Sequence, residues 1–241
     1  MVIAKISVYL LAMFLAFTIT NYRGNAGHLN SAGLTKLSTR WRAQTTSIEN
    51  SIGVITLNDK EPDDSKNSTV KLFNENGSIW YEFSFDEDDH EHPFDPARTD
   101  FSPFAIHLDY FLLVFKCVGE DANRFEVIVD ETTGVRKFIR KSDHTFKYQT
   151  WEDHILNLFA VDFDRAKNRL RNAPSIHAVP VQAPKDVFFH PVKIERNWLR
   201  VRWDVSETEG VKSTRGKKKI GYGWIKWKEG NNIIIELYYL D

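Results

Sequence analysis

Cysteine is nearly absent from this chain, with Cys117 alone among 241 residues. A single thiol excludes an intramolecular disulfide, so the fold must be held by its own core even in a compartment that would permit such bonds. Long apolar runs are also missing. The run near the start, Ile6 to Ile19, comprises fourteen uncharged and mostly apolar residues, short of the roughly twenty that a membrane-spanning helix needs. Net charge is close to zero, at −1, which makes nucleic acid a poor partner. The chain contains no Gly-x-Ser-x-Gly elbow, no His-Glu-x-x-His pair and no Gly-rich phosphate loop, so it carries none of the local signatures of serine hydrolases, zinc proteases or nucleotide enzymes.

What is abundant is aromatic. Seventeen Phe, eight Tyr and seven Trp stand against two Met, a composition suited to pleated surfaces where flat rings and β-branched neighbours pack. Lys5 before the apolar run, and the polar stretch Thr20 to Gly27 after it, match the zones of a signal peptide. Export is therefore expected, with residues 1–27 as the signal segment. An uncleaved segment would give the only membrane contact. No Cys follows the run, so a lipoprotein anchor has no acceptor.

Along the chain, residues 28–50 sustain neither a helical nor a strand period and read as a lead-in. Ser51 to Leu57 reads as a strand. Val70 to Phe73 and Ile79 to Phe85 flank Asn74-Glu75-Asn76-Gly77, a hairpin signal because Asn-Gly adopts the positive φ of a tight turn. An acidic, Pro-containing loop fills 86–103. Phe104 to Val118 is apolar enough for one strand buried on both sides, and two further hairpins follow through Gly119–Asn123 and Thr132–Gly134. Thr150 caps an amphipathic helix bearing Trp151, Ile155, Leu158 and Phe159. Asp162 to Ser175 reads as a connection to a second unit. Residues 28–150 carry 14 basic and 21 acidic groups, and 151–241 carry 16 and 12, so the two parts present different surfaces.

In the last fifty residues, alternation puts Leu199, Val201 and Trp203 on one strand face and Trp198, Arg200 and Arg202 on the other. Ile233, Ile235, Leu237 and Tyr239 form the apolar face of a last strand. Asn197-Trp198-Leu199-Arg200-Val201 and Gly223-Trp224-Ile225 resemble the Trp-hydrophobic-x-Val and Gly-Trp-hydrophobic strands of the bacterial SH3-like family, over about Ile176 to Leu240. The family's early strand has no counterpart around Ser175 to Lys185. Together with the strand and helix patterns upstream, this gives an α+β, mostly β chain: a β-rich antiparallel-sheet domain of no recognised family with a short packed helix over 28–170, then, from the resemblance, an SH3-like β-barrel over 175–241. The resemblance further implies binding of a peptide, a protein or a peptidoglycan fragment. Trp198, Trp224 and Tyr238 would supply flat apolar surface to an extended ligand, with Arg200, Arg202 and Lys226 facing its carboxylates.

Two other constellations bear on chemistry. Asp88, His90 and His92 lie in the acidic loop, where imidazoles two apart in an extended segment point the same way, yet a metal site needs three or four convergent ligands. Cys117 would need a thiolate-favouring setting to act as a nucleophile, and its apolar strand offers core packing instead. We therefore expect no catalysis, no cofactor and no resident metal. A cell-wall hydrolase using Cys117, a metal-dependent envelope enzyme, and a structural protein in which the barrel packs on the first domain are the alternatives.

Overall fold

The computed structural model describes residues 46–58, 69–86, 89–205 and 219–239; the proposed signal segment lies outside them. The chain is mostly β, with one short α-helix among the described residues. After β1 (Thr46–Ser47) come β2 (Gly53–Leu57), β3 (Thr69–Phe73), β4 (Ile79–Ser84), β5 (Ala105–His107), β6 (Leu112–Glu120), β7 (Arg124–Asp130), β8 (Val135–Arg140) and β9 (Phe146–Gln149). β2 to β9 build one antiparallel sheet ordered β4-β3-β8-β7-β6-β2-β9, with β5 paired to the start of β6. The β3–β4 hairpin turns at Gly77 (φ 84°), as its Asn-Gly pair predicts.

The expected single strand over Phe104 to Val118 is two strands. The chain reverses at Leu108–Tyr110, where Phe111 takes a left-handed conformation (φ 51°) and its N–H bonds to the Leu108 carbonyl. β5 then folds back on β6 with Ile106 opposite Leu113. The apolar run fits both arms of that hairpin, and an apolar run alone does not reveal a reversal.

The helix α1 (Trp151–Leu156) begins where its cap predicts. Thr150 Oγ1 accepts from the Asp153 N–H at 3.1 Å and bonds the Asp153 carboxylate at 2.7 Å. Trp151 and Ile155 are buried beneath it.

Beyond α1 lie β10 (Ala160–Asp162), β11 (His190–Glu195), β12 (Trp198–Val205), β13 (Lys219–Lys226), β14 (Lys228–Glu229), β15 (Asn232–Ile233) and β16 (Glu236–Tyr238). They form three separate ladders: β11-β12-β13, β1-β15-β14 and β10-β16. No closed barrel is formed among the described residues. The expected last strand is broken in two, although Ile233, Ile235 and Leu237 are all buried on the anticipated face. Thr46–Ser47, inside what reads as lead-in, pairs with Ile233 and Asn232. A two-residue strand whose partner is nearly two hundred residues away has no local signature.

The connection from Asp162 to Ser175 also touches β13, through an isolated bridge at Arg171. Arg171 exchanges both backbone bonds with Trp224, at 2.7 and 2.9 Å, and Asn168 brackets Lys226 with its side-chain amide. Leu170 fills the space above Gly223, where an added Cβ would lie 2.6 Å from its side chain. Gly221 is held open in the same way by the Trp203 ring, at 2.2 Å. These close approaches are why Gly recurs on the inner side of β13.

The core has two parts. On one face of the large sheet Leu72, Phe83, Phe115, Val127 and Ile139 lie under Phe94 and Phe101 of the acidic loop. On the other, Val54 and Val114 share a buried cluster with Trp151, Ile155, Leu199, Val201, Trp203, Trp227 and Leu237.

Candidate functional site

The backbone register of β11-β12-β13 gathers most of the residues that the sequence singles out. Trp198 pairs with Lys226 and Glu195, Arg200 with Trp224 and Lys193, and Arg202 with Tyr222 and His190. Cross-strand partners share a face, so these nine side chains form three parallel rows. The reverse side carries Leu199, Val201 and Trp203, all at most 2% exposed, which is the division that alternation predicts.

Electrostatics on this face are mainly cationic. The Arg200 guanidinium lies 4.8 Å over the Tyr222 ring, Lys226 pairs with Glu229 at 2.7 Å, and Arg202 reaches Asp204 at 3.8 Å. Such surface pairs are weak and easily exchanged for a ligand carboxylate. Trp198 is half-buried and Tyr222 is 44% exposed. Trp224, anticipated as a flat contact surface, is only 9% exposed, and the Asn168–Arg171 segment runs along its strand. Tyr238 does not join this face: it sits on β16 opposite Ala160, its hydroxyl 3.3 Å from Glu236. Tyr222 was missed by sequence reasoning, although alternation along Gly221-Tyr222-Gly223-Trp224 puts it beside Trp224.

The other candidates separate. Asp88 lies outside the described residues. His90 is exposed at a bend, whereas half-buried His92 sits 3.4 Å from both Glu82 and Asp89. Burial works against the Asp89 charge, but the backbone N–H groups of His92 and Glu91, and the His92 ring, outweigh it and hold its carboxyl below the usual range. Among the described residues, no three His, Cys, Asp or Glu side chains gather as metal ligands. Cys117 is fully buried, and burial pushes its thiol up to about 11, with Sγ 3.4 Å from the Gly119 carbonyl. A thiol so placed is a packing group. Of the basic run Lys212, Arg215, Lys217, Lys218 and Lys219, only Lys219 falls within the described residues, at the start of β13.

A further titratable group gave no sequence signal. His154 on α1 is 4% exposed, its Nδ1 3.1 Å from Gln149 Oε1 and its Nε2 3.1 Å from the Tyr239 hydroxyl. Because an amide oxygen only accepts, Nδ1 carries the proton and Nε2 accepts from Tyr239. Burial, with the nearby Lys147 charge, pushes the imidazole down to about 4.

No protein family matches this chain, and no curated protein or solved structure matches it either.

Proposed function

We propose that the chain is an exported, non-catalytic binding protein whose C-terminal part is an SH3-like module, with the outer face of β11-β12-β13 engaging an extended, carboxylate-bearing peptide such as a cell-wall peptide. The observation that carries this is the register that sets Trp198, Arg200, Arg202, Tyr222 and Lys226 on one sheet face. Trp198 and Tyr222 offer flat apolar surface with few rotamers to freeze, and the guanidinium groups offer forked donors to carboxylates. Buried Cys117 lends no support to a thiol hydrolase.

Titration of the full-length chain with muropeptides and with Pro-rich peptides, followed by Trp fluorescence, tests the proposal. Saturable binding to a carboxylate-bearing peptide is expected, weakened about tenfold or more in Trp198→Ala, the size of effect that a central aromatic contact has at interfaces. No saturable response to either ligand set from folded protein would sink it. A second reading, a structural protein whose C-terminal sheet serves to pack on the first, is favoured by the buried cluster that joins Val54 and Val114 to Trp203 and Trp227. It predicts that Trp198→Ala changes nothing measurable.

A further inference from the structure

The free edge of β13 is covered at one end and open at the other. Trp224 exchanges both backbone bonds with Arg171 across that edge, and the Asn168 side-chain amide brackets Lys226. In an antiparallel ladder every second residue turns its N–H and C=O to the same side, so Tyr222 and Ile220 present theirs beside Trp224, away from β12. Among the described residues, no group bonds to these two rungs on that side. The segment that covers Trp224 stops at Arg171, because the Asn172 N–H goes to the Val179 carbonyl at 3.0 Å and the Ser175 N–H closes a turn on Ala173 at 2.8 Å.

The open end lacks the devices that guard an edge strand. Ile220-Gly221-Tyr222-Gly223 carries no charge and no proline, its register with β12 runs without a bulge, and Ile220 and Tyr222 are 45% and 44% exposed. Such an edge is a template for another extended chain. The covered end shows the form that a chain takes here: Arg171 pairs with Trp224 while Leu170 fills the space over Gly223. Gly223 is buried in consequence, whereas Gly221 stays partly exposed.

The neighbouring side chains decide what the added strand carries. A residue paired with Tyr222 shares its face and extends the row that holds Arg202 and Tyr222. The Arg200 guanidinium lies 4.8 Å over the Tyr222 ring and makes no ion pair among the described residues, so a carboxylate in that row gains a charge-assisted bond. A second copy of β13 would instead set Arg200 and Arg202 against their own kind. We propose that an acidic peptide adds to the edge of β13 as an antiparallel strand, exchanging backbone hydrogen bonds with Tyr222 and Ile220 and setting alternate carboxylates on the outer face. This names the binding mode of the peptide site proposed above and rests on that reading.

An antiparallel ladder ties side-chain direction to pairing: the residues that face outward with Tyr222 are also those whose N–H groups bond to it. The capped peptide acetyl-Val-Glu-Val-Glu-Val-amide and two N-methylated forms of it, titrated into the full-length chain with amide exchange followed by NMR, test this. The parent should bind saturably and slow exchange at Tyr222 and Ile220. Methylating the Glu nitrogens should weaken binding at least about tenfold, whereas methylating the Val nitrogens, with the same charge and side chains, should change it less than about twofold. Ile220→Pro removes an outward N–H without touching the β12 ladder and should weaken binding about fivefold or more, with Ile220→Val unchanged. If Ile220→Pro fails to fold, the two methylated peptides carry the test. Binding that leaves both amides unprotected, or equal affinity of the two methylated forms, would overturn strand addition and leave the peptide site standing. Self-association that protects the same amides without peptide, seen by sedimentation, would assign the edge to a second copy. No binding of the parent peptide would also overturn the proposal, alone if muropeptides still shift Trp fluorescence, and together with the peptide site if they do not.

Discussion

The two faces of the large sheet are covered by different means. On one, Phe94 and Phe101 from the acidic loop lie over Tyr81, Phe83 and Phe115, with Phe101 ring centroids 5.3 to 6.2 Å from Tyr81, Phe83, Phe94 and Phe115. Arg98 caps that cluster, 4.2 Å above both the Trp80 and Tyr81 rings. Every residue of this half lies between Ile55 and Phe146. On the opposite face the buried residues run from Val54 to Leu237, and β1 adds a ladder that ties Thr46 to Ile233. The first cluster is closed by a loop from within its own sheet, and the second by a helix and a sheet that arrive later in the chain. Loss of packing in the first should therefore stay near the loop, while loss in the second should loosen elements from both ends of the sequence.

The strongest test of that contrast is a pair of truncations. Trp227 is fully buried and donates its indole N–H to the Arg196 carbonyl at 2.9 Å, so Trp227→Ala should cost about 3–5 kcal/mol. Phe101→Ala should fall in the same range, towards its lower end, because a surface loop can settle into the space left behind. Denaturant titration gives the magnitudes, and amide hydrogen exchange gives their reach. Faster exchange in α1, β12 and β16 is expected for Trp227→Ala, and in 89–104 and β4 for Phe101→Ala. Identical exchange patterns would break the contrast.

A smaller and pH-dependent effect also belongs to the second face. His154 titrates near 4 in the folded chain against an ordinary 6.5, with burial as the main cause. Between those values the unfolded chain binds the proton more readily than the folded one, so stability rises with pH. The contribution is complete above about pH 6.5 and is lost as pH falls through about 4, amounting to about 3 kcal/mol in full. His154→Gln should flatten this part of the stability profile. A slope that survives the substitution would assign it to other groups. Loss of stability in acid should appear first in α1 and β16, which His154 joins through Tyr239, and not in the Phe101 cluster.

Sequence patterns expose one of these faces better than the other. Alternation correctly divides Leu199, Val201 and Trp203 from Trp198, Arg200 and Arg202, because side-chain direction in a strand depends only on position along it. The β3–β4 turn and the Thr150 cap are likewise local. Alternation does not say what lies over a face or along an edge. Trp224 is on the outer side of β13 as expected, yet it is 9% exposed, and the segment from Asn168 that runs beside it reads as a connection. Its place in an apparent last strand groups Tyr238 with Trp198, but pairing with β10 assigns it to another sheet. The His154 cluster was illegible for the same reason. Gln149, His154 and Tyr239 lie in β9, in α1 and just past β16, and only tertiary packing brings them together.

The smallest effect concerns the helix that helps to cover the second face. Thr150 satisfies one of the free N–H groups at the start of α1 and engages the Asp153 carboxylate, which also meets the positive end of the helix. Thr150→Ala should cost about 1 kcal/mol. The helix has only six residues and cannot persist without packing, so Trp151 and Ile155 should hold it in place when the cap is lost. Exchange should then quicken at the first turn of α1 alone. If Thr150→Ala instead loosens β12 and β16 as Trp227→Ala does, the cap, and not the buried rings, controls how the C-terminal sheet docks.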